Sequence, residues 1–105
     1  MLAGYVMDNT KHKAHYQVAI YLRSPHINLS ASKRLILRVI ADYIDMRLGK
    51  CMVKQSSLAN ECGISERQFR RNCDQLIYEK LLFRYTDGKL YTYELGEILT
   101  KKAHL

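Results

Sequence analysis

The stretch Gln55-Ser56-Ser57-Leu58-Ala59-Asn60-Glu61-Cys62-Gly63-Ile64-Ser65 decides how this chain is read. Residues 56–62 suit a short helix. Gly63 ends it, because the residue after a helix commonly takes a left-handed backbone that a side chain would penalise. Ser65 and Gln68 form a capping box: the Ser65 hydroxyl accepts from the Gln68 amide, and the Gln68 side chain reaches back. Phe69, Cys73, Leu76 and Ile77 then give a second helix its buried stripe, ending near Lys80 or Leu81. Leu58 and Ile64 pin the first helix and the turn to a core, and Ala59 is small where the two helices approach. The pattern is two helices around a glycine corner.

Working outward, Leu82–Thr86 and Lys89–Leu95 flank Asp87-Gly88 and read as a hairpin, with positive φ expected at both turn residues. Upstream, Leu35, Ile36, Val39, Ile40, Tyr43, Ile44 and Leu48 recur at helical spacing. Ser30 or Ser32 starts that helix and Gly49 stops it, which makes it roughly five turns long. Cys51-Met52-Val53 reads as a minor strand. In residues 15–22, Tyr16, Val18, Ile20 and Leu22 alternate, which predicts a strand, with a short helix as the rival. Ser24-Pro25 breaks the chain. Residues 1–13 read as a loose arm, and the tail Thr100–Leu105 as frayed.

The order of elements, and residues 55–65 with Phe69 and Leu76 above all, resembles the winged helix-turn-helix family of DNA-binding domains. The resemblance covers residues 30–95. It implies a mainly α fold with a small β-sheet: three helices and a C-terminal hairpin wing, here with an N-terminal strand. Residues 1–29 are then an arm and strand for dimerisation or DNA contact, and 96–105 a tail. The segment Leu29–Leu82 looks like winged domains of plasmid and phage replication initiators and of small bacterial regulators. Two positions depart from the family: Lys80 stands where glycine is common, and Asn72 where a small apolar residue is usual.

With Phe69, Cys73 and Leu76 inward, Glu66, Arg67, Gln68, Arg70, Arg71, Asp74, Gln75 and Tyr78 face outward. Such a helix fits the major groove. Arg67 and Arg71 suit guanine, Gln68 suits adenine, and Arg70 suits a phosphate. Lys54, Gln55, Ser56 and Ser57 lie at the start of the first of the two helices, where free amides favour a phosphate, and Ser65, which starts the second, is a further candidate contact. Arg84 and Lys89 sit on the wing. Lys11, Lys13, Arg23, Lys33 and Arg34 are further candidate contacts. Tyr85, Tyr91 and Tyr93 fit strand packing better than base stacking. The plainer alternative is that these charges are a solvated surface, some of them paired locally as Arg67–Glu66 or Arg70–Asp74 neighbours.

Charge supports a polyanionic partner. Seventeen Lys and Arg against ten Asp and Glu give +7, with the excess concentrated in the first half. The 105 residues allow one compact domain, and 48% hydrophobic with 26% charged residues excludes a disordered chain. No apolar run is long enough to span a bilayer and the start lacks a secretory pattern. Three cysteines without a CxxC suit reduced thiols, so a cytoplasmic protein, nucleoid- or plasmid-associated, is expected. His12-Lys13-Ala14-His15 is too sparse for a metal site. No nucleotide loop, nucleophile elbow or carboxylate pair supports catalysis, and no cofactor is implied.

The resulting expectation is a non-enzymatic binder of double-stranded DNA. It would act in transcription control, or as an accessory factor at an origin of plasmid or phage replication or of conjugative transfer. The edge strand at 15–22 needs a partner, either the wing sheet of its own chain or a second copy across a two-fold axis; a homodimer and contacts with other DNA-processing proteins are expected with it. The alternatives are a winged helix used for protein–protein contact with weak DNA affinity, and the DNA-binding part of a longer sensor. The initiating Met and basic tail make the sensor less attractive.

Overall fold

The computed structural model describes residues 9–24, 27–45 and 47–102. The order is α1 (Asn9–Arg23), α2 (Ala31–Asp42), α3 (Gln55–Cys62), α4 (Glu66–Tyr78), β1 (Leu82–Thr86), β2 (Tyr91–Leu95) and α5 (Glu97–Lys102). β1 and β2 form a two-stranded antiparallel sheet, registered from Leu82 opposite Leu95 to Thr86 opposite Tyr91. Helices α2, α3 and α4 pack on one another, and the sheet closes their open side.

The N-terminal strand is corrected to a helix. Ala14, Val18 and Leu22 are buried at i, i+4 and i+8, with Gln17 buried in the same stripe. A strand would have placed Tyr16 beside Val18, yet Tyr16 is 62% exposed. The short apolar run alternates locally, and the polar Gln17 hides the helical period. α1 begins at Asn9, so residues 9–13 are not a loose arm; residues 1–8 and Pro25 lie outside the described residues. The tail is corrected too. α5 packs on α1 with Leu99 fully buried, because Leu99 completes the apolar cluster around Val18 and Leu22. Residues 103–105 lie outside the description.

Ser30, not Ser32, caps α2, accepting from the Lys33 amide at 3.3 Å. The helix is shorter than its apolar spacing predicts. It stops at Asp42, and Ile44 forms a β-bridge with Cys51. The Asp45 carboxylate accepts from the Arg47 and Leu48 amides at 2.8 and 3.1 Å. Gly49 turns the chain at φ +69°, its amide donating to the Asp45 carbonyl. A tight loop therefore replaces the last helical turns, and it serves the sheet. The Cys51 N–H and C=O both pair with Tyr93 at 2.8 and 2.9 Å, so the minor strand expected at Cys51–Val53 shrinks to one bridging residue.

The glycine corner and capping box form as expected. Gly63 is left-handed (φ 71°, ψ 27°), its amide bonding to Asn60 and that of Ile64 to Ala59. Ser65 and Gln68 exchange both capping bonds at 3.1 Å. The end of α4 repeats the same closing motif, with Lys80 donating to Ile77 and Leu81 to Leu76. Here the left-handed residue is Lys80, at φ 64°. Asn72 leaves α4 regular: its Nδ2 donates to the Gln68 carbonyl at 2.8 Å, one turn back. The hairpin turn is wider than a two-residue loop. Only Gly88 takes positive φ, while the Asp87 carboxylate accepts from the Lys89 and Leu90 amides. Those two amides, Leu90 foremost, hold the Asp87 carboxyl below its ordinary pKa.

Cys51, Cys62 and Cys73 are free and buried. Loss of hydration pushes the Cys73 thiol up to about 12 and the Cys62 thiol to about 11, from an ordinary value near 9.0. Cys51 moves the same way.

Two measurements check this account of the fold. Lys80→Gly relieves the left-handed strain and should raise stability by up to about 1 kcal/mol in urea unfolding; unchanged or lower stability would contradict it. Folded-state thiol pKa values above the unfolded ones give stability that is full below about pH 9 and declines as pH rises toward 12. Iodoacetamide at pH 8 should accordingly leave the native thiols unmodified and label them only on unfolding. Labelling of the native protein at the unfolded rate would show that the core is open.

Candidate nucleic-acid interface

The inward face of α4 is fixed by burial. Phe69, Cys73 and Leu76 are fully buried, and the Phe69 ring meets Tyr93 edge-on at 6.1 Å and 87°. At 100° per residue, Arg67, Arg71, Asp74 and Tyr78 then fall on the opposite side. Arg67, Arg70 and Arg71 are exposed, and among the described residues no ion pair or hydrogen bond holds their guanidinium groups. The local pairs that would make them a neutralised surface do not form. Glu66 accepts from Gln55 Nε2 at 3.4 Å, and Asp74 pairs with Arg84.

This arrangement is unfavourable for the helix itself. Arg67 sits in the first turn of α4, where the positive end of the helix dipole repels a cation, and Arg67 and Arg71 repel each other at i, i+4. Each effect costs a few tenths of a kcal/mol, up to about 1 kcal/mol. The guanidinium groups are therefore not there to stabilise α4.

The remaining candidates divide by their partners. Lys54 precedes α3 and is exposed with Ser56 and Ser57, close in sequence to the free amides of that helix start. Lys89 is exposed at the hairpin turn. Ser65 and Gln68 hold each other in the capping box, so the Gln68 side-chain Oε1 is occupied and only its Nε2 is left to offer. Gln55 bridges inward: it accepts from the Tyr93 hydroxyl at 3.5 Å and donates to Glu66.

Three basic candidates are tied into the scaffold. The Arg34 guanidinium donates to the carbonyls of Leu29 and Leu22 at 3.1 and 3.0 Å, fastening the end of α1 to the start of α2. Lys33 pairs with Glu79 at 4.0 Å and is largely buried. Arg84 bonds Asp74 at 2.7 Å and lies over the Tyr91 ring at 5.2 Å. Arg23 is exposed in the last turn of α1, away in sequence from the helix-turn-helix. Lys11 and Lys13 belong to α1, but their side chains lie outside the described ones.

Tyr93 is fully buried and Tyr91 half-buried, as strand packing requires, while Tyr85 is 51% exposed beneath Lys50 Nζ. Among residues not singled out as contacts, Tyr78 stands out at 87% exposed on the same stripe as Arg67 and Arg71. The i, i+4, i+11 spacing carried that signal. Asp74 as the partner of Arg84 had no such signal, since the pair spans a helix and a strand.

Among the described residues, no group of three His, Cys, Asp or Glu side chains gathers in a way that holds a metal ion. No described helix is long and apolar enough to cross a membrane.

No protein-family model matches the sequence, and no curated protein matches it. Solved structures do. The chain is similar to ZitR, a zinc-responsive MarR family member of Lactococcus lactis, with 15% identity and a TM-score of 0.57 over 77% of this chain and 53% of that one. It is similar to MepR, a transcription regulator of the Staphylococcus aureus multidrug efflux pump MepA, with 15% identity and a TM-score of 0.56 over 98% and 69%. It is also similar to a mutant MarR from E. coli complexed with operator DNA, with 13% identity and a TM-score of 0.52 over 99% and 72%. The chain thus spans about half the length of ZitR. At these identities the likeness bears on the fold, and with the glycine corner, capped helix and hairpin it establishes a winged helix-turn-helix domain.

Proposed function

We propose that this chain is a duplex-DNA-binding protein that reads sequence with α4 and acts as a transcription regulator, by binding rather than by catalysis. One observation carries the proposal: Arg67 and Arg71 on the outward side of a helix whose inward side is wholly buried, and Arg70 at its flank, have no partner among the described residues. The cost to the helix needs a compensating partner, and a polyanion supplies it. Arg67 and Arg71 address base edges, Arg70 and the start of α3 address phosphates, and Lys89 addresses the backbone beside the wing. A structural neighbour bound to operator DNA and another that regulates an efflux pump support transcription control over origin recognition in replication or transfer.

A homodimer belongs to the same proposal on new grounds. The edge strand that suggested pairing is a helix, so α1, with its exposed Tyr16, replaces it as the surface for a second copy. A two-fold axis would place two recognition helices about one helical turn apart on the duplex. Sedimentation of free and DNA-bound protein reads this directly, and a monomer in both states would remove it.

Selection from a random-sequence duplex pool, followed by titration of the recovered duplex, tests the function. Affinity should fall steeply between about 50 and 200 mM salt. Flat binding over that range, or no recovered sequence, would favour a protein–protein module instead. Arg67→Ala and Arg71→Ala should each cost roughly 1–3 kcal/mol on the selected duplex and relax the preference at one position. Full specific affinity in both variants would contradict the assignment of α4.

A further inference from the structure

We infer that the Arg84–Asp74 ion pair is a positioning device that sets the angle between the wing and the recognition helix. The inference rests on the DNA-binding proposal and assigns Arg84 a role other than touching DNA.

Asp74 projects from the side of α4 that carries Arg67 and Arg71, where a free carboxylate would repel phosphate. Its Oδ1 accepts from Arg84 Nη2 at 2.7 Å, which turns the carboxylate toward β1 and cancels its charge. Arg84 is held from a second side by the Tyr91 ring, and it stands opposite Tyr93 in the sheet. Its side chain is only 21% exposed, and its buried Nη1 has no partner.

A desolvated guanidinium with an unsatisfied N–H is a poor source of stability; an apolar replacement of similar size is commonly neutral or stabilising. What such a pair supplies is direction. It is a charged contact between β1 and the outward side of α4, and it fixes where the hairpin turn with Lys89 lies relative to Arg67 and Arg71.

The test uses two substitutions that change net charge in opposite senses. Arg84→Met removes a positive charge and Asp74→Asn a negative one. Pure electrostatics therefore predicts weaker binding for the first and tighter binding for the second. Positioning predicts the same outcome for both: affinity for the selected duplex falls roughly threefold to thirtyfold. Hydroxyl-radical protection should be lost at the wing-side flank while protection by α4 persists. Arg84→Lys, which keeps the charge, should recover part of the flank protection.

Unfolding midpoints identify any variant that fails to fold, and the remaining ones then decide the matter. Opposite affinity changes, or a wild-type footprint in the folded variants, would overturn the positioning role. A wild-type protein that leaves no footprint on the selected duplex would overturn the DNA-binding proposal itself.

Discussion

The packing of Phe69 against Tyr93 is the contact on which the rest of the molecule depends. Tyr93 is the largest of the fully buried side chains, and it joins four parts of the chain. Its backbone pairs with Cys51, its ring receives the edge of Phe69, its hydroxyl reaches Gln55, and its strand partner is Arg84. With Phe69 packed on this ring and Cys73 and Leu76 buried beside it, the rotation of α4 about its own axis is set. The outward stripe then follows from the helical period alone. An aromatic pair of this kind contributes about 0.5–1.5 kcal/mol beyond area burial; here its larger effect is orientational.

The two ends of α4 carry the same logic. Before it, Gly63 and the Ser65–Gln68 box set where the helix starts; after it, Lys80 takes a left-handed conformation to send the chain into β1. Gly96 closes the arrangement, since a Cβ there would lie 2.1 Å from the Lys80 carbonyl oxygen. The strained turn is thus wedged against the exit of β2, and α4, wing and α5 are joined at one place. Charge is distributed differently. Cations that brace the fold (Lys33, Arg34, Arg84) have acceptors, whereas those on the outward side of α4 have none among the described residues. The contrast separates scaffold from surface better than net charge does.

Local chemistry was legible in the sequence wherever one short segment decided the outcome. The glycine corner, the capping box and the buried stripe of α4 depend on contacts within a few residues, so their residue types alone determine them. Failures came where distant partners decided. Residues 15–22 alternate well enough for a strand, but α2 and α5 offer a helical groove, and Gln17 inside it disguised the period. Ile44 and Leu48 extend the apolar pattern of α2, yet pairing of Cys51 with both Ile44 and Tyr93 ends the helix at Asp42. The candidate site divides along the same line. Arg67 and Arg71 follow from periodicity, while the partners of Arg34 and Arg84 lie 12 and 10 residues away and no spacing rule reaches them.

The central claim is that burial of one side of α4 presents the other side to duplex DNA. Backbone amide chemical shifts recorded while the selected duplex is added would test it most directly. Amides of residues 65–72 should move first and furthest, those near Lys54 and Lys89 should follow, and those of α1 should remain close to their starting positions. Shifts concentrated on α1 and α5, with the first turns of α4 unmoved, would contradict it.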